Sequence, residues 1–174
     1  MKTLVLLGGP PGVGKTSVLH YLENNIPACG ILDADDVWRV SSDIAVEQNR
    51  TIAHANVISA ADGYLVAGCQ TVIVSWVFAR AALYEPLIHG LQNKIDQIKQ
   101  IYLTADPETL SSRIRERRSK AAKAYPQSVE ELIDYSLDRQ ALIASLPFQK
   151  IDTSHLSSEE VGRTLLSLLE SKIV

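Results

Sequence analysis

Short apolar runs alternate with longer amphipathic stretches along this chain. Thr3 to Leu7 is a short, almost wholly apolar run closed by glycines, the pattern of a central parallel strand buried on both faces. Val18, Leu19 and Leu22 then recur at helical spacing, predicting a helix over 14–23 that Asn24-Asn25-Ile26-Pro27 ends, since proline cannot continue it. Cys29 to Leu32 reads as a second strand, Thr71 to Val74 as a third, Lys99 to Leu103 as a fourth and Phe148 to Ile151 as a fifth. Between the second and third lies an alanine-rich stretch, Ile44 to Ala67, expected as one long helix with a weak point near Gly63. Ala81 to Leu91 reads as a helix kinked by Pro86.

Three later helices announce their starts. Asp106 is placed to cap one, with Pro107 at its first position. Ser128 with Glu131 forms a capping box, and Ser157 with Glu160 forms another, closed by a Leu156–Val161 staple. Five strands alternating with helices predict an α/β protein: a five-stranded parallel sheet covered by helices on both faces, in three layers. The chain has 174 residues, so residues 1–174 are expected to form a single domain.

Composition narrows the function classes. The chain is 46% hydrophobic and 21% charged, with a net charge of -3 and a pI of about 5.8. The overall basic excess of a nucleic-acid binder is absent, so no nucleic-acid partner is expected. No run approaches the ~20 apolar residues of a membrane span. The apolar stretch at the N-terminus is shorter than the about 7–15 residues of a signal-peptide core. Cys29 and Cys69 have no disulfide or metal-site pattern and read as free thiols, which suits a reducing cytoplasm.

The chemistry begins at Gly9-Pro10-Pro11-Gly12-Val13-Gly14-Lys15-Thr16, which satisfies G-x-x-x-x-G-K-[ST] at every fixed position, between a strand and a helix. Glycines let the backbone wrap a phosphate and turn N–H groups inward. The helix that follows, opening through Lys15, Thr16 and Ser17, offers free N–H groups and a positive dipole end. Lys15 can reach the β- and γ-phosphates, and the Thr16 hydroxyl can ligate Mg2+. A nucleoside triphosphate is therefore expected here. The absence of an N-K-x-D run for guanine favours ATP.

Asp33, Asp35 and Asp36 follow the second strand, at the strand end where open α/β sheets bind ligands. Phosphoryl transfer to an alcohol needs a carboxylate for the Mg2+ shell and another to orient the hydroxyl and accept its proton. Asp33 and Asp35 suit these roles, in either assignment, and Asp36 reads as a solvated or capping residue. With the phosphate loop, Leu32-Asp33-Ala34-Asp35 resembles the P-loop small-molecule kinases, the group of shikimate, gluconate and adenylylsulfate kinases. That resemblance implies a metal role for Asp33 and an acceptor role for Asp35. It spans nearly the whole chain in the order of its elements.

A basic cluster, Arg113, Arg115, Arg117, Arg118 and Lys120, follows the fourth strand. Arg113 and Arg117 share a helix face, and mobile arginines can stabilise charge on a transferring phosphoryl group. Arg113-Ile114-Arg115-Glu116-Arg117 resembles the R-x-x-x-R stretch that opens the lid of such kinases. The resemblance implies a lid over about residues 113–127, with Ser119 to Gln127 as its moving part, and a catalytic arginine, Arg117 first. A solvated basic face or an RNA-binding patch competes with this reading. In the same kinases, Asp-Thr-Ser after the last strand lies at the adenine, which carries over to Thr153 and Ser154.

The third strand ends Ser75-Trp76-Val77-Phe78, without the acidic residue found there in many P-loop ATPases, so the metal role falls to the aspartate turn. Arg39 and Arg80 could hold an anionic acceptor. Trp38, Trp76, Phe78 and His54, each taken singly, read as packing. The expectation is an ATP- and Mg2+-dependent kinase, a cytoplasmic monomer or homodimer. Lys15, Asp35 and Arg117 would carry the transfer to a small polar acceptor such as a sugar acid, nucleoside or nucleotide. The rival reading is a nucleotide-binding regulatory switch without such an acceptor.

Overall fold

The computed structural model of the chain describes residues 1–40, 43–121 and 127–170. Its strands are β1 (Thr3–Gly8), β2 (Cys29–Asp33), β3 (Thr71–Trp76), β4 (Gln97–Thr104) and β5 (Gln149–Asp152). The helices are α1 (Lys15–Asn25), α2 (Val46–Val66), α3 (Ala81–Leu91), α4 (Pro107–Ser119), α5 (Val129–Leu142) and α6 (Ser158–Glu170). The strands form a five-stranded parallel sheet in the order β2-β3-β1-β4-β5. The expected three-layer α/β/α architecture is the observed one.

Two hydrophobic layers sandwich the sheet. On one face Leu4, Leu6, Val72 and Val74 pack with Ala53, Val57, Ala61 and Leu65 of α2 and with Tyr84, Leu87 and Leu91 of α3. On the other, Val5, Leu7, Ile73, Ile101 and Leu103 pack with Leu19 and Leu22 of α1, Ile114 of α4, Ile133 of α5 and Leu165 of α6. All six residues of β1 are buried, because the strand is covered on both faces and bonded on both edges.

The start signals work as written. Asp106 Oδ1 accepts from Thr109 N at 2.8 Å, and Ser128 and Glu131 complete their capping box. Ser157 and Glu160 exchange hydrogen bonds of 3.2 and 2.8 Å. Most boundaries move by one to three residues, and β3 runs on to Trp76. The weak point at Gly63 does not interrupt α2. A glycine costs an exposed helix only about 1 kcal/mol, less than burial of Ala61 and Leu65 returns. Pro86 lies within α3, which Tyr84, Leu87 and Leu91 bury on both sides of it.

Gly8 ends β1 in register with Trp76 on one neighbour and Tyr102 on the other. A Cβ there would stand 2.4 Å from Tyr102 Cδ2 and 3.4 Å from Phe78 Cβ. The missing side chain is what lets the Tyr102 ring lie against the strand that launches the phosphate loop. Gly8→Ala should therefore destabilise the fold by ~1–3 kcal/mol through overpacking. Gly63→Ala, with nothing within 4 Å of its Cβ, should stabilise it by ~0.4–1 kcal/mol. Urea midpoints measured at constant m-value check both.

Candidate nucleotide-binding and transfer site

Parallel strands deliver all their carboxyl ends to one edge. There the loop after β1, the turn after β2, the end of β3, α4 and the segment after β5 enclose a cleft of about 780 Å³. It is lined by Pro11 to Val18, Asp33, Asp35, Asp36, Val77, Arg113, Arg117 and Thr153, with Leu156, Ser158 and Val161 closing one end. Gly9 and Pro10 form the buried base of the loop.

The loop has the form an anion needs. Gly12 takes φ +84°, and a Cβ there would meet Ile114 Cγ1 at 2.6 Å, so the backbone lies directly against α4. Gly14, at φ 105°, caps α1 without a side chain, and no acidic residue stands in that helix's first turn. By contrast α2, α4, α5 and α6 all carry glutamate in theirs. The dipole end of α1 is thus left to an external anion.

Lys15 arches back over the loop, donating from Nζ to Gly9 O at 2.7 Å and Pro10 O at 3.2 Å. Its enclosed ammonium is desolvated, and burial pulls its pKa down to about 8, with Arg117 adding to the fall and Asp33 and Asp35 opposing it.

The aspartate turn is a short 3-10 helix, Ala34–Asp36, capped by Asp33. Asp33 Oδ1 accepts from Asp35 N at 3.2 Å, and half-burial pushes the Asp33 carboxyl above its ordinary value. The Asp35 carboxylate accepts at Oδ1 from Trp76 Nε1 at 3.1 Å. Asp36 points outward and pairs with Arg39 at 3.7 Å. The part of Trp76 is what the sequence reading missed. Its place at the end of β3, beside the proposed site, was visible, but the partner lies 41 residues away.

Of the arginines, Arg113 is fixed. It donates from Nη1 to Thr153 Oγ1 at 2.9 Å and from Nη2 to Thr153 O at 2.8 Å. Thr153 Oγ1 in turn lies 3.3 Å from Val13 O, tying α4 and the segment after β5 to the phosphate loop. Arg117, one turn on, is exposed and lines the cleft. Arg118 is half-buried and does not line it. Ser154 turns away: its hydroxyl donates to Asp152 Oδ1 at 2.6 Å and accepts from Asp106 N at 2.8 Å. Arg80 is exposed, and His54 packs edge-on against Trp76 with ring centroids 5.7 Å apart. The middle of the expected lid, residues 122–126, lies outside the described residues.

Among the described residues no group of three or more His, Cys, Asp or Glu side chains is arranged to hold a metal ion. The donors at the cleft, the exposed Thr16 hydroxyl and the Asp33 carboxylate, are hard oxygen ligands. They suit Mg2+, which takes few protein ligands and completes its shell with nucleotide phosphates and water.

A phosphate loop rising from the central strand, in a sheet of this order, defines a P-loop nucleotide-binding protein. The chain belongs to the AAA domain family, which residues 5–134 match. None of the curated proteins compared matches it. Its fold is similar to that of the Deinococcus radiodurans tunicamycin resistance protein, at 16% identity and TM-score 0.66 over 99% of this chain and 98% of that one. Shikimate kinase from Bacteroides thetaiotaomicron gives 17% identity and TM-score 0.66 over 97% of this chain and 99% of that one. A gluconokinase from Sinorhizobium meliloti gives 14% and 0.66 over 95% and 90%. The fold is thus that of P-loop small-molecule kinases, as the aspartate turn and basic helix led one to expect. No helix among the described residues is long and apolar enough to cross a membrane.

The lowered pKa of Lys15 carries a signed consequence. Above about pH 8 the free protein holds this side chain neutral, whereas phosphate oxygens favour the ammonium. Nucleotide binding above that pH should therefore take up a proton, and affinity should fall as pH rises through about 8. Titration calorimetry in buffers of different ionisation enthalpy measures the uptake, which should be absent well below that pH.

Proposed function

We propose that this chain is an ATP-dependent phosphotransferase that moves the γ-phosphoryl group to a hydroxyl, or a phosphate, of a small polar metabolite. The carrying observation is one cleft lined by Lys15, Asp35 and Arg117, in which the Asp35 carboxylate also accepts a hydrogen bond from an indole donor. The absence of an acidic residue at the end of β3 weighs against a motor ATPase or GTPase, and the carboxylates of the turn after β2 suit an acceptor hydroxyl.

In this reading the loop N–H groups and Lys15 hold the β- and γ-phosphates. Arg113 fixes the wall on the nucleotide side through Thr153. The acceptor hydroxyl lies against Asp35, which takes its proton as the new O–P bond forms and the bond to the β-phosphate oxygen breaks. Arg117, free to swing, neutralises charge on the equatorial oxygens. Mg2+, held by Thr16 and Asp33 with the phosphates, would supply further neutralisation. The loss of an acidic residue at the end of β3 fits, since the turn after β2 provides the carboxylates. Support for a small-molecule acceptor comes from the gluconokinase and shikimate kinase folds, and the acceptor's class is open to assay.

The test is ADP release from Mg-ATP against sugar acids, shikimate-like alcohols, nucleosides, nucleotides and amino sugars. One acceptor class should raise release, and Asp35→Asn should lower that rate by ~10²–10⁴-fold while ATP still binds. Lys15→Ala should lose ATP binding. If ATP binds through Lys15 and no acceptor raises release, the transfer reading gives way to a nucleotide-dependent switch.

A further inference from the structure

We infer that Trp76 is a positioning residue for phosphoryl transfer, holding the Asp35 carboxylate in the orientation that receives the acceptor hydroxyl. The inference rests on the transfer reading above and deepens it.

Three observations carry it. First, the bond itself: Trp76 Nε1 lies 3.1 Å from Asp35 Oδ1, and an indole N–H can only donate. It therefore engages the carboxylate as an acceptor and commits one oxygen, leaving the other for substrate. Second, the indole is immobile. Trp76 is 7% exposed, and its ring meets Trp38, His54 and Phe78 edge-on at centroid distances of 6.4, 5.7 and 6.1 Å. Third, Asp35 is held at its backbone as well, where its N–H donates to Asp33 Oδ1 at 3.2 Å. A side chain on a short 3-10 helix has rotational freedom of its own, and the indole removes it.

The position explains how β3 can lack an acidic end. Trp76 stands where that residue would be, at the end of β3 in register with Gly8. The strand contributes a donor to a carboxylate on the neighbouring turn instead of a carboxylate of its own. Trp76 does not line the cleft, so it acts through Asp35 and leaves nucleotide contacts alone.

The chain has two tryptophans, which makes the bond directly observable. In a 15N spectrum Trp76 should give a hydrogen-bonded indole signal. Trp38, whose buried Nε1 has no partner among the described residues, should not, and Trp38→Phe assigns the pair. Asp35→Ala should shift the Trp76 signal upfield. For function, benzothienylalanine at position 76 in the Trp38→Phe background replaces the N–H by sulfur and keeps the packing. It should lower acceptor-dependent kcat on the order of 10- to 100-fold against the same background with tryptophan, with nucleotide affinity within about twofold. Trp76→Phe should do the same.

An unchanged Trp76 signal in Asp35→Ala, or an unchanged kcat in the sulfur isostere, overturns the inference. A loss of nucleotide affinity matching the loss of kcat also overturns it, because the residue would then be structural. If Trp76 answers to Asp35→Ala but the wild-type chain transfers to no acceptor, the transfer reading itself has failed, and the positioning role falls with it.

Discussion

The structure depends on the burial of β1. A phosphate loop works by aiming backbone N–H groups at one point, and that aim is only as good as the strand and helix on either side of it. β1 is buried along its whole length and bonded to β3 and β4. Its last residue, Gly8, leaves room for Tyr102 of β4 and for Phe78, just past β3, to close against the strand. The loop then leans on α4 through Gly12 and Ile114, and on the segment after β5 through Thr153. The loop is thus braced by parts of the chain that are distant in sequence, and a ligand need not order it at its own expense.

Electrostatics around the loop point the same way. Lys15 is held away from water on two carbonyl oxygens, with Asp33 and Asp35 the compensating charges. A lysine so placed is costly for the free protein and favourable when phosphates arrive. The open N-terminus of α1 adds to this preference, since nothing in its first turn competes with an anion. The two aspartates are held differently: Asp33 is half-buried and caps the 3-10 helix, whereas Asp35 accepts a hydrogen bond from the aromatic layer.

Much of this was legible because it is local. The phosphate loop, the caps at Asp106, Ser128 and Ser157, and the strand–helix alternation are encoded within a few residues. Thr153 and Arg113 were separately legible as nucleotide-side candidates, but their bond to each other spans 40 residues and no spacing rule announces it. Ser154 was grouped with Thr153 through the Asp-Thr-Ser resemblance. After a strand, however, adjacent side chains diverge, and Ser154 serves the cap of α4. Trp76 failed to stand out for the opposite reason: a tryptophan ending an apolar strand looks like core, and it is core. Its N–H acquires a second role only because the turn after β2 passes beside it.

The cleft and the aromatic layer behind it are built by different physics, and this bears on what can vary. Around the phosphate loop there is a set of directional hydrogen bonds: Lys15 to the loop, Arg113 to Thr153, Thr153 to Val13. Such networks lose much when one member changes, because the remaining buried groups are left unpaired. Behind Asp35 lies an aromatic layer of Trp38, His54, Trp76, Phe78 and Phe148. Apolar packing tolerates substitution of similar volume at modest cost. A scaffold built this way can repack its aromatic layer while keeping its phosphate loop, provided the donor to Asp35 survives. The link between the two is then one indole N–H, which belongs to the aromatic layer by packing and to the cleft by its hydrogen bond with Asp35.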